Sequence, residues 1–84
     1  MKKILKFYSK TCGPCKVMSN KLTGITNAEI KEIDIEDDSN ETLLETYEIS
    51  TIPTIIVLSD DNSFLAKFTG ITQIEDIQEV INEK

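Results

Sequence analysis

Apolar and polar positions alternate in short, clearly bounded blocks. Ile4-Leu5-Lys6-Phe7-Tyr8 is a β-rich run, and Ser9-Lys10-Thr11 leads out of it. Cys15, Met18, Leu22 and Ile25 then recur at helical spacing, with Lys16, Asn20 and Lys21 elsewhere on the wheel. Gly24 is the expected helix stop, because glycine accepts the left-handed conformation that ends helices. Residues 30–35 alternate in their second half, Ile33 and Ile35 against Glu32 and Asp34, which predicts a second strand.

Asp37-Asp38-Ser39-Asn40 is loop and helix-start chemistry. Asp38 followed by Glu41 fits a capping box for a short helix carrying Leu43, Leu44 and Tyr47. Thr54-Ile55-Ile56-Val57-Leu58 is a continuous apolar run, as expected of a central strand covered on both faces. After the turn Ser59-Asp60-Asp61-Asn62-Ser63, the residues Phe64, Ala66 and Phe68 alternate with Leu65, Lys67 and Thr69, the second arm of a hairpin ended by Gly70. Thr72 with Glu75 forms another capping box, and Ile74, Ile77 and Ile81 stripe a closing helix. The predicted order is β-α-β-α-β-β-α. This is an α/β chain with a mixed four-stranded sheet, built by right-handed parallel crossovers and then an antiparallel hairpin, and flanked by three helices. Neither a repeat nor a linker divides it, so residues 1–84 are expected to form one domain.

The net charge of −6 argues against nucleic acid as a partner. Lysines 2, 3, 6, 10, 16, 21 and 31 nevertheless crowd the first part. Two readings follow: ordinary solvated surface, or a basic rim that favours thiolate and acidic partners. Lys6 interrupts the first apolar run, so nothing there has the build of a signal peptide or a membrane span. A cytoplasmic, reducing setting is expected, with no membrane attachment.

Cys12 and Cys15 are the only cysteines. A disulfide between them closes too small a loop to staple a fold, so a chemical role is favoured over a structural one. At a helix N-terminus, Cys12 would meet unpaired backbone N–H groups and the positive end of the helix dipole. Such placement commonly lowers a cysteine pKa from about 8.5 to around 7 or below. Cys15, on the apolar stripe with Met18 and Leu22, would stay protonated until needed. Cys12 is thus the candidate attacking thiolate and Cys15 the candidate resolving thiol, joined in a redox-active disulfide that needs no bound cofactor. Pro14 would stiffen the helix start, and Gly13 would leave the Cys12 sulfur unshielded. Pro53 would be tolerated at a strand start, or could form a cis bond facing the cysteines.

Cys12-Gly13-Pro14-Cys15-Lys16 after a Phe7-Tyr8 strand, Ile52-Pro53-Thr54 before an apolar strand, and Gly70 after a hairpin together resemble the thioredoxin superfamily. The resemblance spans essentially the whole chain. Cys-Gly-Pro-Cys is similar to the thioredoxin tetrapeptide, whereas glutaredoxins usually carry Cys-Pro-Tyr-Cys. Tyr8 stands four residues before Cys12, as the thioredoxin aromatic does. The resemblance implies a thioredoxin-like fold of glutaredoxin size and reduction of protein disulfides. It also implies a cis Ile52-Pro53 bond, with Thr11, Thr51, Ile52, Pro53 and Gly70 forming a groove for a substrate peptide. Expected partners are disulfide-containing proteins and an electron donor of thioredoxin-reductase or glutathione type, and the chain is expected to act as a monomer.

Several positions depart from that pattern. Thr11 stands in place of a tryptophan, Asn20 in place of a helix-kinking proline, and Lys6 where the family keeps a buried aspartate beneath the second cysteine. Glu32 aligns with the lysine that partners this aspartate. Lys6 and Glu32 are therefore either the same pair with exchanged charges, with Glu32 taking the Cys15 proton and Lys6 helping to hold a thiolate, or two solvent-facing side chains on a thinly covered sheet. Two alternatives to the reductase remain: a glutaredoxin-like enzyme using glutathione, and a non-catalytic binding module on the same fold. Two thiolates without histidine cannot complete a tetrahedral metal centre within one chain, so no metal is expected.

Overall fold

The computed structural model describes residues 1–83. Strand β1 (Lys2–Tyr8) is followed by helix α1 (Gly13–Leu22), β2 (Ala28–Asp34) and a 3-10 turn over Asp38–Asn40. Then come α2 (Glu41–Thr46), β3 (Thr54–Leu58), β4 (Phe64–Thr69) and α3 (Ile74–Asn82). The sheet order is β2-β1-β3-β4, so β2 and β4 are its outer strands. β1 runs parallel to β2 with Lys6 opposite Glu32, and antiparallel to β3 with Phe7 opposite Thr54. β3 and β4 form the predicted hairpin.

The alternation of side chains along each strand sorts the core into two layers. Ile4, Ile55 and Val57 face α1 and α3, where they meet Met18, Leu22, Ile77 and Ile81. Leu5, Phe7, Ile33, Ile56 and Leu58 face the other way and are covered by Leu43 and Leu44 of α2 and by Tyr47 at its C-terminal end. All five β3 residues are buried, because this strand supplies side chains to both layers. Its unbroken apolar run follows from that position.

Four local expectations are corrected. Gly24 is not left-handed: α1 ends at Thr23 in right-handed geometry, and the Thr23 hydroxyl donates to the Asn20 carbonyl at 2.6 Å. The Asp38–Glu41 capping box does not form. Asp37 instead accepts from the Ser39 backbone N–H at 3.0 Å, and the α2 N-cap, Asn40, makes no side-chain cap bond. The Thr72–Glu75 box is also absent, since the Thr72 hydroxyl donates to the Gly70 carbonyl at 3.2 Å and Gln73 occupies the N-cap. Phe64 does not share a face with Ala66 and Phe68. A register shift opposite Val57 and Leu58 pairs Leu58 with Phe64 but Val57 with Ala66, and one inserted residue turns Phe64 to the opposite face, where it is exposed.

Candidate active site

β1 delivers the chain to the end of the sheet, where the Cys12 backbone N–H turns back to the Ser9 carbonyl at 3.2 Å. Cys12 is then the N-cap of α1, in extended geometry, with Gly13 and Pro14 opening the first turn. Proline is tolerated there because the first helical N–H groups have no partner within the helix. One of those groups, the N–H of Cys15, donates to Cys12 Sγ at 3.1 Å. The two sulfurs are joined in a disulfide, with their Cα atoms 5.3 Å apart. Cys12 is half-buried and next to exposed Gly13, where an added Cβ would meet nothing within 4 Å. Cys15 is 2% exposed. The same four residues therefore hold one accessible sulfur and one inaccessible sulfur.

The loop before β3 closes the other side. Its Ile52–Pro53 peptide is cis, Pro53 is buried, and the Thr54 hydroxyl donates back to the Thr51 carbonyl at 2.7 Å. Because Phe7 pairs with Thr54, this loop lies beside the segment that leads from β1 to Cys12. Gly70, at φ +74°, donates its N–H to the Pro53 carbonyl at 2.8 Å. Thr11 and Thr51 are exposed and Ile52 is half-buried. The predicted groove residues thus gather at one end of the sheet, along with exposed Lys16 in the first turns of α1.

Lys6 does not face solvent. It is 2% exposed, and its Nζ lies 3.2 Å from Glu32 Oε1 and within hydrogen-bond reach of Ser19 Oγ. Ser19 Oγ donates to the same Glu32 oxygen at 3.1 Å, and the Tyr8 ring centroid is 5.0 Å from Nζ. Ser19 was not singled out from the sequence. Its position one helical turn after Cys15, on the same face of α1, is the signal that could have found it.

Two of the lysines crowded into the first part of the chain lie away from the cysteines. Lys2 and Lys3 lie at the far end of β1, where Lys2 donates to the Ile81 carbonyl at 2.9 Å and Lys3 to the Asn62 side-chain oxygen at 2.6 Å. Lys10 shares a polar recess with Asp34, Glu36 and Asp37. Among the described residues no three His, Cys, Asp or Glu side chains converge to hold a metal ion, and no helix is long and apolar enough to cross a membrane.

The thioredoxin family model matches residues 1–83. The chain belongs to the thioredoxin family. It is 31% identical to the thioredoxin of Chlamydia pneumoniae, covering 95% of this chain and 79% of that one. It is 29% identical to a Staphylococcus epidermidis thioredoxin, covering 96% and 80% respectively. Among solved structures, thioredoxin-2 of the malaria parasite secretion machinery superposes with a TM-score of 0.82 at 21% identity, over 96% of this chain and 81% of that one. The germline-specific thioredoxin Deadhead from Drosophila gives 0.78 at 28% identity, over 95% and 77%.

The mixed four-stranded sheet with three helices is the thioredoxin-like fold. With its disulfide-forming pair, this family member is a thiol–disulfide oxidoreductase, and its redox-active group is part of its own chain. Thioredoxins reduce disulfides, so the family implies disulfide-containing protein substrates and a reductase that recycles the pair. The glutaredoxin-like alternative gains no support from these matches.

Proposed function

We propose that this thioredoxin-family protein reduces protein disulfides with Cys12 as the attacking thiolate and Cys15 as the resolving thiol. The contrast between half-buried Cys12 at the helix N-cap and Cys15 at 2% exposure carries the assignment. Once reduced, the Cys12 sulfur has the Cys15 N–H aimed at it from 3.1 Å, and the helix dipole adds to that stabilisation of negative charge. Cys12 attacks one sulfur of a substrate disulfide, forming a mixed disulfide and expelling the other sulfur as a thiolate, which takes a proton from water. Cys15 loses its proton, attacks Cys12 Sγ and releases the second substrate thiolate as the Cys12–Cys15 bond re-forms.

The backbone of Thr51 and Ile52, the Pro53 turn and Gly70 hold the substrate segment, with Thr11 at its rim. A thioredoxin-reductase-type donor returns two electrons to the pair in a cytoplasmic setting, and the chain works as a monomer. Exposed Thr51 beside the loop that flanks the cysteines supports this groove. Cys15→Ser is expected to trap a covalent mixed disulfide with a disulfide-bonded protein such as insulin, and Cys12→Ser to form none. Reduction of insulin by the Cys12→Ser variant would overturn the assignment.

A further inference from the structure

Among the described residues, Lys6 is the one charged side chain in the buried core. Burying an ammonium is unfavourable, and replacing a buried ion pair by apolar residues is often neutral or stabilising, so the fold alone gives no reason for a lysine here. It is nonetheless held from three sides, by Ser19 of α1, Glu32 of β2 and the ring of Tyr8. The two charges of the pair are unequally placed. The Glu32 side chain is 50% exposed and screened by water, whereas that of Lys6 is 2% exposed in surroundings of low dielectric. A positive potential is therefore left on the interior side of the pair.

That side is the underside of α1. Lys6 lies on the sheet face that carries Ile4, and its ammonium reaches Ser19. Ser19 follows Cys15 by four residues, and side chains so spaced have Cβ atoms about 5–6 Å apart. Cys15 and Lys6 are equally inaccessible, each at 2%, so little solvent screens one from the other.

We infer that Lys6, held by Ser19 and Glu32, is a positioning residue that stabilises the Cys15 thiolate and shifts the Cys12–Cys15 couple towards its reduced form. The inference rests on the dithiol reading given above. When a dithiol donor reduces the pair, the donor gives up two electrons and two protons and becomes a disulfide, the Cys12–Cys15 bond breaks, and the reduced pair keeps one proton, the other passing to water. The remaining negative charge is divided between the two sulfurs, and the buried ammonium stabilises the share that falls on Cys15. In the resolving step the same cation favours loss of the Cys15 proton to water before the sulfur attacks Cys12. A couple whose reduced form is stabilised is the stronger oxidant. This chain therefore sits at a less reducing potential than it would with an uncharged residue at position 6.

The test is the equilibrium of the protein with dithiothreitol at fixed neutral pH, for the wild type, Lys6→Met and Glu32→Gln. Lys6→Met is expected to disfavour the reduced form about tenfold, which is about 30 mV for a two-electron couple. Glu32→Gln removes the screened counter-charge and should move the equilibrium the opposite way, about threefold. Opposite signs cannot come from loosened packing, which would move both variants alike. An unchanged equilibrium in Lys6→Met, or shifts of the same sign in both, overturns the inference. If Lys6→Met does not fold, Glu32→Gln decides: a shift towards the reduced form supports the role, and no shift or the reverse overturns it. The equilibrium reads the couple whichever cysteine attacks substrate. Failure here while Cys15→Ser still traps insulin removes this inference alone.

Discussion

Gly70 donates its backbone N–H to the carbonyl oxygen of Pro53 at 2.8 Å, so the segment leaving β4 is tied to the loop entering β3. The bond requires Gly70 to sit at φ +74°, a region that side-chain-bearing residues rarely adopt. An added Cβ would meet nothing within 4 Å, so the penalty for Gly70→Ala is conformational rather than steric. Gly70→Ala is expected to destabilise by about 1–2 kcal/mol. For a domain of this size that is a fall in melting temperature of roughly 4–16 °C, read by circular dichroism.

Thr54 is fully buried, and its hydroxyl reaches the Thr51 carbonyl at 2.7 Å. Thr54→Val keeps the shape and removes the donor. The expected loss is about 0.5–1.5 kcal/mol in urea unfolding. A variant as stable as the wild type would mean that the loop geometry does not depend on this bond.

Ile77 anchors α3 against the sheet with no exposed surface. Ile77→Ala leaves a cavity and should cost about 2–5 kcal/mol. The Cys12–Cys15 equilibrium with dithiothreitol should stay unchanged in whatever fraction remains folded, since Ile77 belongs to the apolar layer of Ile4, Leu22, Ile55 and Ile81 and its side chain carries no charge or hydrogen-bonding group.

Acid sensitivity is expected from two turns. The Asp37 carboxyl is held below its ordinary 3.8, first by the Ser39 hydroxyl and then by the Ser39 backbone N–H. Asp61 is lowered by the hydroxyls of Ser59 and Ser63, then by the Ser63 N–H. A carboxylate whose folded value lies below its unfolded one contributes stability above the unfolded value, and that contribution is lost as pH falls through the folded value. Asp37→Asn should therefore differ most from the wild type near neutrality, with the difference closing below about pH 4. Urea midpoints at the two extremes check this, and an equal difference at both would exclude the carboxylate as its source.

Element order and the two-layer core were legible because Met18 and Leu22, Ile77 and Ile81, and the run from Thr54 to Leu58 carry unambiguous periodicities. The ends of elements were less so. At Asp38 and Thr72 the capping pattern is present, but a competing partner lies nearer: Asp37 takes the Ser39 N–H, and the Gly70 carbonyl takes the Thr72 hydroxyl. Phe64 was misplaced because a single inserted residue in the hairpin leaves no mark in a period-two pattern. At the site, the tetrapeptide and Pro53 stood out as residue types. Lys6 was undecidable, since its place between Ile4 and Tyr8 indicates the interior while its charge indicates water. Ser19, an ordinary residue type on a helix, settles that conflict only once the helix is laid on the sheet.

β2 is left as an outer strand with one side of its backbone unpaired. Bare strand edges recruit other chains and nucleate aggregates. Here Glu29, Lys31 and Glu32 crowd the exposed middle of β2, beside a single exposed apolar residue, Ile30. A neighbouring copy adding there would have to strip water from these charges. The charged middle of β2 thus makes this edge a poor template for a further strand, and Glu32 is one of the charges that a neutral substitution would remove from it.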